Sequence, residues 1–112
     1  MKIFHNPRCS KSRQTLALIE EKEQAVEIVE YLKTPPTAAE LKEILALLQI
    51  PASSLIRKGE AIFKEKFKGK ELSEEAWIEA MVTYPKLIER PIVITDKTAV
   101  IGRPPEKVLE LL

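Results

Sequence analysis

Cys9 is the one cysteine in a chain of 112 residues. Its neighbours are polar and basic: His5, Asn6, Pro7 and Arg8 precede it, and Ser10, Lys11, Ser12 and Arg13 follow. A lone thiol cannot form an internal disulfide, a CxxC redox pair or a cysteine zinc cluster. It is either inert packing or a reactive group, and in an arbitrary domain a single cysteine is more often a small buried hydrophobe. This one follows a strand pattern and opens a helical one. Unpaired N–H groups and the positive end of the helix dipole meet there. Such a setting lowers a thiol pKa. An ordinary thiol, with a pKa near 8.5, is only a few per cent thiolate at pH 7. Lowering that value by about two units makes it mostly thiolate. Arg8, Lys11 and Arg13 add positive charge. His5 adds more when protonated, or orients the thiolate, although a histidine ending a strand is as often a capping residue.

Three further arginines stand on connections beside apolar runs. Arg57 ends the stretch Leu55-Ile56-Arg57-Lys58, Arg90 precedes Pro91 at the mouth of a strand, and Arg103 precedes Pro104-Pro105. A solvated arginine, or one paired with a carboxylate, is the plainer reading of any one of them. A thiolate with several converging arginines would suit a tetrahedral oxyanion, because guanidinium forks hold such oxygens bidentately. Spacing along the chain does not establish convergence.

The elements must position these groups. The length suits one domain, and 45% hydrophobic with 31% charged residues is an ordinary globular composition. Eighteen Lys+Arg against 17 Asp+Glu leave a net charge of +1, so no global field argues for nucleic acid or an anionic membrane. No run approaches 18 apolar residues, and the start turns polar too quickly for a signal segment. The expected compartment is the cytoplasm, where thiols stay reduced. No metal site and no bound cofactor are expected.

Lys2-Ile3-Phe4 reads as a strand stopped by Asn6-Pro7. Residues 10 to about 22 read as a helix with Leu16, Ala17 and Ile19 on its face. Val26 to Tyr31 is a second strand, rich in β-branched residues. Thr37 with Glu40 predicts a capping box. Leu41, Ile44, Leu45 and Leu48 then mark an amphipathic helix. Helical turns are expected from Pro51 to about Arg57, and within Glu60 to Lys70, anchored by Ile62, Phe63 and Phe67. Ser73 caps a helix carrying Trp77, Ile78, Met81 and Val82. Ile92-Val93-Ile94 and Ala99-Val100-Ile101 predict a hairpin turning at Asp96-Lys97. A final helix follows Pro104-Pro105, with Val108, Leu111 and Leu112 on its buried face. The order is β-α-β, a helical block, then β-β-α. This gives an α/β fold, a mixed four-stranded sheet with thioredoxin-like topology. It is expected as a single domain over 1–112 with a helical insertion at about 37–84.

The segment from His5 to Arg13 resembles the active-site loop of the ArsC family, the glutaredoxin-coupled arsenate reductases. The likeness continues through Tyr31 to Thr37, Leu55 to Lys58, Arg90 to Val93 and Arg103 to Glu106. These blocks stand in family order over nearly the whole chain. The resemblance implies reduction of arsenate, or a similar oxyanion, to arsenite, with glutathione as co-substrate and glutaredoxin as partner. By the same likeness Cys9 matches the nucleophile, Arg57, Arg90 and Arg103 the oxyanion-binding arginines, and His5 a histidine near the nucleophile. Arg13 matches a supporting basic residue. Pro91 resembles the thioredoxin-fold proline whose preceding bond is cis and which faces the active cysteine. Arg8 stands where a small residue is often found, and Ser10-Lys11 replaces a Gly-Thr pair. Both changes bear on substrate choice.

With no second cysteine, the resolving thiol must come from outside the chain. Two other readings stay open. Cys9-Ser10-Lys11-Ser12 is a CxxS pattern, as in monothiol redox proteins, which suits a glutathione-dependent thiol reductase with another substrate. The Spx-type regulators of RNA polymerase share the fold, but Ser12 stands where they commonly carry the second cysteine of a switch.

Overall fold

The computed structural model describes residues 1–112. The chain forms two compact units, Met1–Thr34 with Arg90–Leu112, and Pro35–Glu89.

The first unit is built on a four-stranded mixed sheet in the order β2-β1-β3-β4. β1 (Lys2–Phe4) runs parallel to β2 (Glu27–Val29), with Ile3 opposite Ile28. It runs antiparallel to β3 (Ile92–Ile94), with Ile3 opposite Val93, and β3 pairs with β4 (Ala99–Ile101) as a hairpin. The fold is thioredoxin-like α/β, as the strand and helix order predicts. Adjacent strand residues point to opposite faces. Ile3 and Val93 therefore share one face with Ile19 of α1 (Ser10–Glu21) and Val108, all fully buried, while Phe4 lies on the other. Phe4 stacks on Tyr31, with ring centroids 6.3 Å apart.

That stacking explains one difference from the sequence expectation. The strand expected over Val26–Tyr31 is only Glu27–Val29, because the chain turns after β2 and sends the Tyr31 ring inward. Two further expectations fail at the surface. Ala17 is exposed on α1, whose buried positions are Ser12, Thr15 and Ile19. The last helix is a 3-10 segment, Pro105–Leu111, and its tighter turn leaves Leu112 exposed beyond Val108.

The close approach of α1 to the hairpin exit depends on Gly102. A Cβ there would lie 2.6 Å from Thr15 Oγ1 and 2.9 Å from Pro91 Cγ. No side chain fits, and the Gly102 N–H donates to the Pro91 carbonyl at 2.9 Å. The Arg90–Pro91 and Arg103–Pro104 bonds are both cis.

The second unit is helical. α2 (Ala38–Leu48) opens on the expected capping box: Thr37 Oγ1 accepts from the Glu40 N–H, and the Glu40 carboxylate accepts from the Thr37 N–H, each at 3.1 Å. It ends at Gln49 in the left-handed conformation, φ 57°. The stretch expected from Pro51 to Arg57 is a single 3-10 turn, Ala52–Leu55. α3 (Ala61–Lys66) is short, and α4 (Glu74–Thr83) is capped by Ser73. Phe63, Phe67, Trp77 and Tyr84 form an aromatic cluster with centroid spacings of 5.9–6.4 Å. Arg57 and Leu55 bond to the backbone of Leu87 and Glu89, with an antiparallel bridge from Ile56 to Ile88 between them. No helix is long and apolar enough to cross a membrane.

Candidate active site

The loop Asn6–Arg8 between β1 and α1 is held by its own side chains. Asn6 Oδ1 accepts from the Arg8 N–H at 3.0 Å, and the Asn6 carbonyl accepts from the Cys9 N–H at 3.0 Å. An asparagine bonding two residues ahead is an Asx turn. Arg13 reaches back from α1, donating from Nη1 to the Pro7 carbonyl at 3.0 Å. Its role here is bracing the loop.

Cys9 is the N-cap residue of α1, half-buried, with extended backbone at φ −94° and ψ 122°. A capping position normally carries Ser, Thr, Asp or Asn, whose oxygen takes the first-turn N–H groups. No side chain closes a short capping bond here. Those donors act on sulfur instead. Burial raises the thiol pKa, but the Ser12 N–H, the Arg90 guanidinium and the Lys11 N–H outweigh it and hold Cys9 below the ordinary thiol value. Arg103 adds a contact, donating from Nη2 to Cys9 Sγ at 3.6 Å. The Arg103 Nε–H donates to the Arg90 carbonyl at 2.7 Å, which fixes the guanidinium. Cys9, Arg90 and Arg103 thus meet at one end of the sheet, beside the cis bond that precedes Pro91.

His5 and Ser12 form a second layer of this site. Both are buried, and His5 Nδ1 lies 2.7 Å from Ser12 Oγ. Ser12 Oγ also accepts from the Asn6 N–H at 3.0 Å. The hydroxyl has one proton to give and a second lone pair, so it donates to Nδ1 in one imidazole tautomer and accepts from it in the other. Burial lowers the His5 pKa; Glu30 raises it and Arg13 lowers it further, and the net shift favours neutral imidazole. His5 is therefore not the added positive charge that its position in the sequence allowed. It braces Ser12, and Ser12 in turn presents its N–H to the sulfur.

Arg57 belongs to the helical unit, where Nη1 donates to Glu89 Oε1 at 2.6 Å and Nε lies 3.9 Å from Glu60 Oε1. A carboxylate partner is the plainer expectation for Arg57, but sequence reading named neither Glu89 nor Glu60. It also passed over Asn6 and Thr15. Asn-Pro is a turn-initiating pair and a usable signal for Asn6. Thr15 carries no local signal; its Oγ1 donates to the Lys11 carbonyl at 2.9 Å and lies 3.5 Å from the Gly102 carbonyl. No group of three or more His, Cys, Asp or Glu residues is arranged to hold a metal ion.

A thioredoxin-like sheet with one helix-capping thiol and two arginines beside it defines a class of monothiol protein. Comparison with known proteins narrows that class. A sequence model of the ArsC family matches residues 4–111. The chain is 43% identical to an arsenate reductase of Neisseria meningitidis serogroup A, over all of this chain and 97% of the relative. It is 52% identical to the uncharacterized protein YfgD of Escherichia coli, over all of this chain and 96% of the relative. Among solved structures, an arsenate reductase from Vibrio cholerae superposes with a TM-score of 0.94 at 46% identity, covering all of this chain and 98% of the other. The chain belongs to the ArsC family.

Proposed function

We propose that this protein is a cytoplasmic arsenate reductase that works through Cys9, with glutathione and glutaredoxin as electron donors. The coarser statement, a thiol reductase of the ArsC family, is supported by the names of its relatives. The observation that carries the finer reading is the depressed Cys9 thiol with Arg103 Nη2 3.6 Å away.

In the first step the Cys9 thiolate attacks the arsenic of arsenate, a sulfur–arsenic bond forms, and one protonated oxygen leaves as water. Arg90 and Arg103 offset the charge that develops on the oxygens; one such donor is worth about 10²–10³ in rate. Next a glutathione thiolate attacks Cys9 Sγ. A disulfide forms, the sulfur–arsenic bond breaks, and its electron pair stays on arsenic, which leaves as arsenite. Two thiols are oxidised and As(V) becomes As(III). Glutaredoxin then takes the glutathionyl group from the mixed disulfide and releases the Cys9 thiolate.

The test is arsenate-dependent NADPH oxidation with glutathione, glutaredoxin and glutathione reductase supplied. Cys9→Ser is expected to fall to the rate without enzyme. Full turnover by that variant, or none by the natural chain, sinks the reading. The ion pairs of Arg57 with Glu89 and Glu60 favour a second reading, a glutathione-dependent thiol reductase with another substrate. Deglutathionylation of a mixed-disulfide peptide, without arsenate turnover, would select it.

A further inference from the structure

A resolving thiol has to be recruited, and the loop beside Cys9 borders a cavity of about 210 Å³. One wall is the loop from His5 to Arg8, and the other is the chain leaving β2, with Glu30, Leu32 and Lys33. Both walls lie in the unit that carries Cys9. The loop wall is pre-formed, since the Asn6 side chain ties down the Arg8 N–H. Across the cavity Lys33 Nζ stands 3.7 Å from Glu30 Oε1, both side chains reaching solvent. Leu32 is 38% exposed, an apolar step at the rim.

We propose that this cavity binds the α-amino-acid end of glutathione, its γ-glutamyl terminus. The proposal rests on the reading that Cys9 turns over with glutathione. Three observations choose this occupant. The volume is below the ~300–1,000 Å³ that encloses a whole small molecule, so the cavity takes one arm of a longer ligand. Its charges are mixed. Arg8 and Lys33 complement a carboxylate and Glu30 complements an ammonium, whereas a simple oxyanion would meet the Glu30 charge. Finally, Arg8 is the residue next to Cys9, with Cα atoms about 3.8 Å apart across a trans peptide. Under the proposal, the central thiol of a tripeptide anchored at this wall is directed toward Cys9, the residue that follows Arg8. Leu32 and Pro7 flank the methylene stem of the anchored arm.

Two measurements decide the matter. In the coupled assay Lys33→Glu is expected to raise the KM for glutathione about tenfold. It should leave kcat at saturating glutathione and the KM for arsenate near their natural values. A backbone-amide NMR titration with S-methylglutathione, which cannot react, is expected to shift the resonances of Arg8, Leu32 and Lys33 in the natural chain and to weaken in the variant. An unchanged KM in Lys33→Glu, or shifts confined to residues outside this cavity, overturns the proposal. If the natural chain shows no arsenate-dependent turnover yet S-methylglutathione shifts these residues, the arsenate reading fails and the cavity assignment stands.

Discussion

The two units of the chain bury different things. The helical unit, Pro35–Glu89, buries only apolar residues, among them Leu41, Ile44, Leu55, Trp77 and Met81. The sheet unit buries His5, Asn6, Ser12 and Thr15 as well, which are all of the buried polar side chains. Each of the four is hydrogen-bonded in or around the loop and first turns that carry Cys9. Buried polar groups are costly unless satisfied. All four are satisfied, and they are confined to the unit that carries the thiol. The helical unit buries apolar side chains alone; the sheet unit adds polar ones around one thiol.

The comparison can be pressed from both sides. Trp77→Ala removes the buried member of the aromatic cluster and is expected to cost about 3–5 kcal/mol of stability. Denaturant unfolding reads it, and a cost under 1 kcal/mol would mean that the cluster is not the core it resembles. Ser12→Ala is expected to cost about 1–3 kcal/mol, because the Asn6 N–H and His5 Nδ1 lose their shared partner. The thiol should nonetheless stay depressed, since the donor to sulfur is the Ser12 backbone N–H, which alanine keeps. Thiolate absorbance against pH reads this directly, and a return to the ordinary thiol value would place the effect in the hydroxyl. Thr37→Ala removes the hydroxyl half of the capping box, the acceptor for the Glu40 N–H, and keeps the backbone N–H that donates to Glu40; the expected cost is about 1 kcal/mol, read by thermal unfolding.

The smallest effect is a pH slope. His5 has a lowered folded pKa, so the unfolded chain binds its proton first. The stability this contributes is full above the unfolded value near 6.5 and is lost as pH falls from there through the folded value. His5→Gln should flatten that acid limb of the unfolding free energy. An acid limb of unchanged slope in the variant assigns it to other groups.

Much of this was legible in the chain. Thr37 and Glu40 announce a helix start because both partners lie within one turn. The places of β1 and β3 along the chain follow from apolar runs bounded by Asn6-Pro7 and Arg90-Pro91. Cys9 could be placed at a helix N-terminus for the same local reasons. What escaped depends on contacts distant in sequence. The partners of Arg57 include Glu89, 32 positions away, and Arg103 meets Cys9 across 94. Tyr31 has a β-favouring side chain, yet it leaves the strand because stacking on Phe4 outweighs that preference. The same ring contact could not be foreseen from propensity alone.

The donors at Cys9 divide into two kinds, with a consequence for how this protein can drift. Arg90 and Arg103 are encoded by codons that a single base change can rewrite. The Ser12 and Lys11 N–H groups belong to the chain itself, and every amino acid except proline supplies them. Part of the anion's stabilisation is thus carried by the path of the backbone. A lineage could exchange the arginines and retool its substrate while keeping the backbone's share of the thiol's acidity.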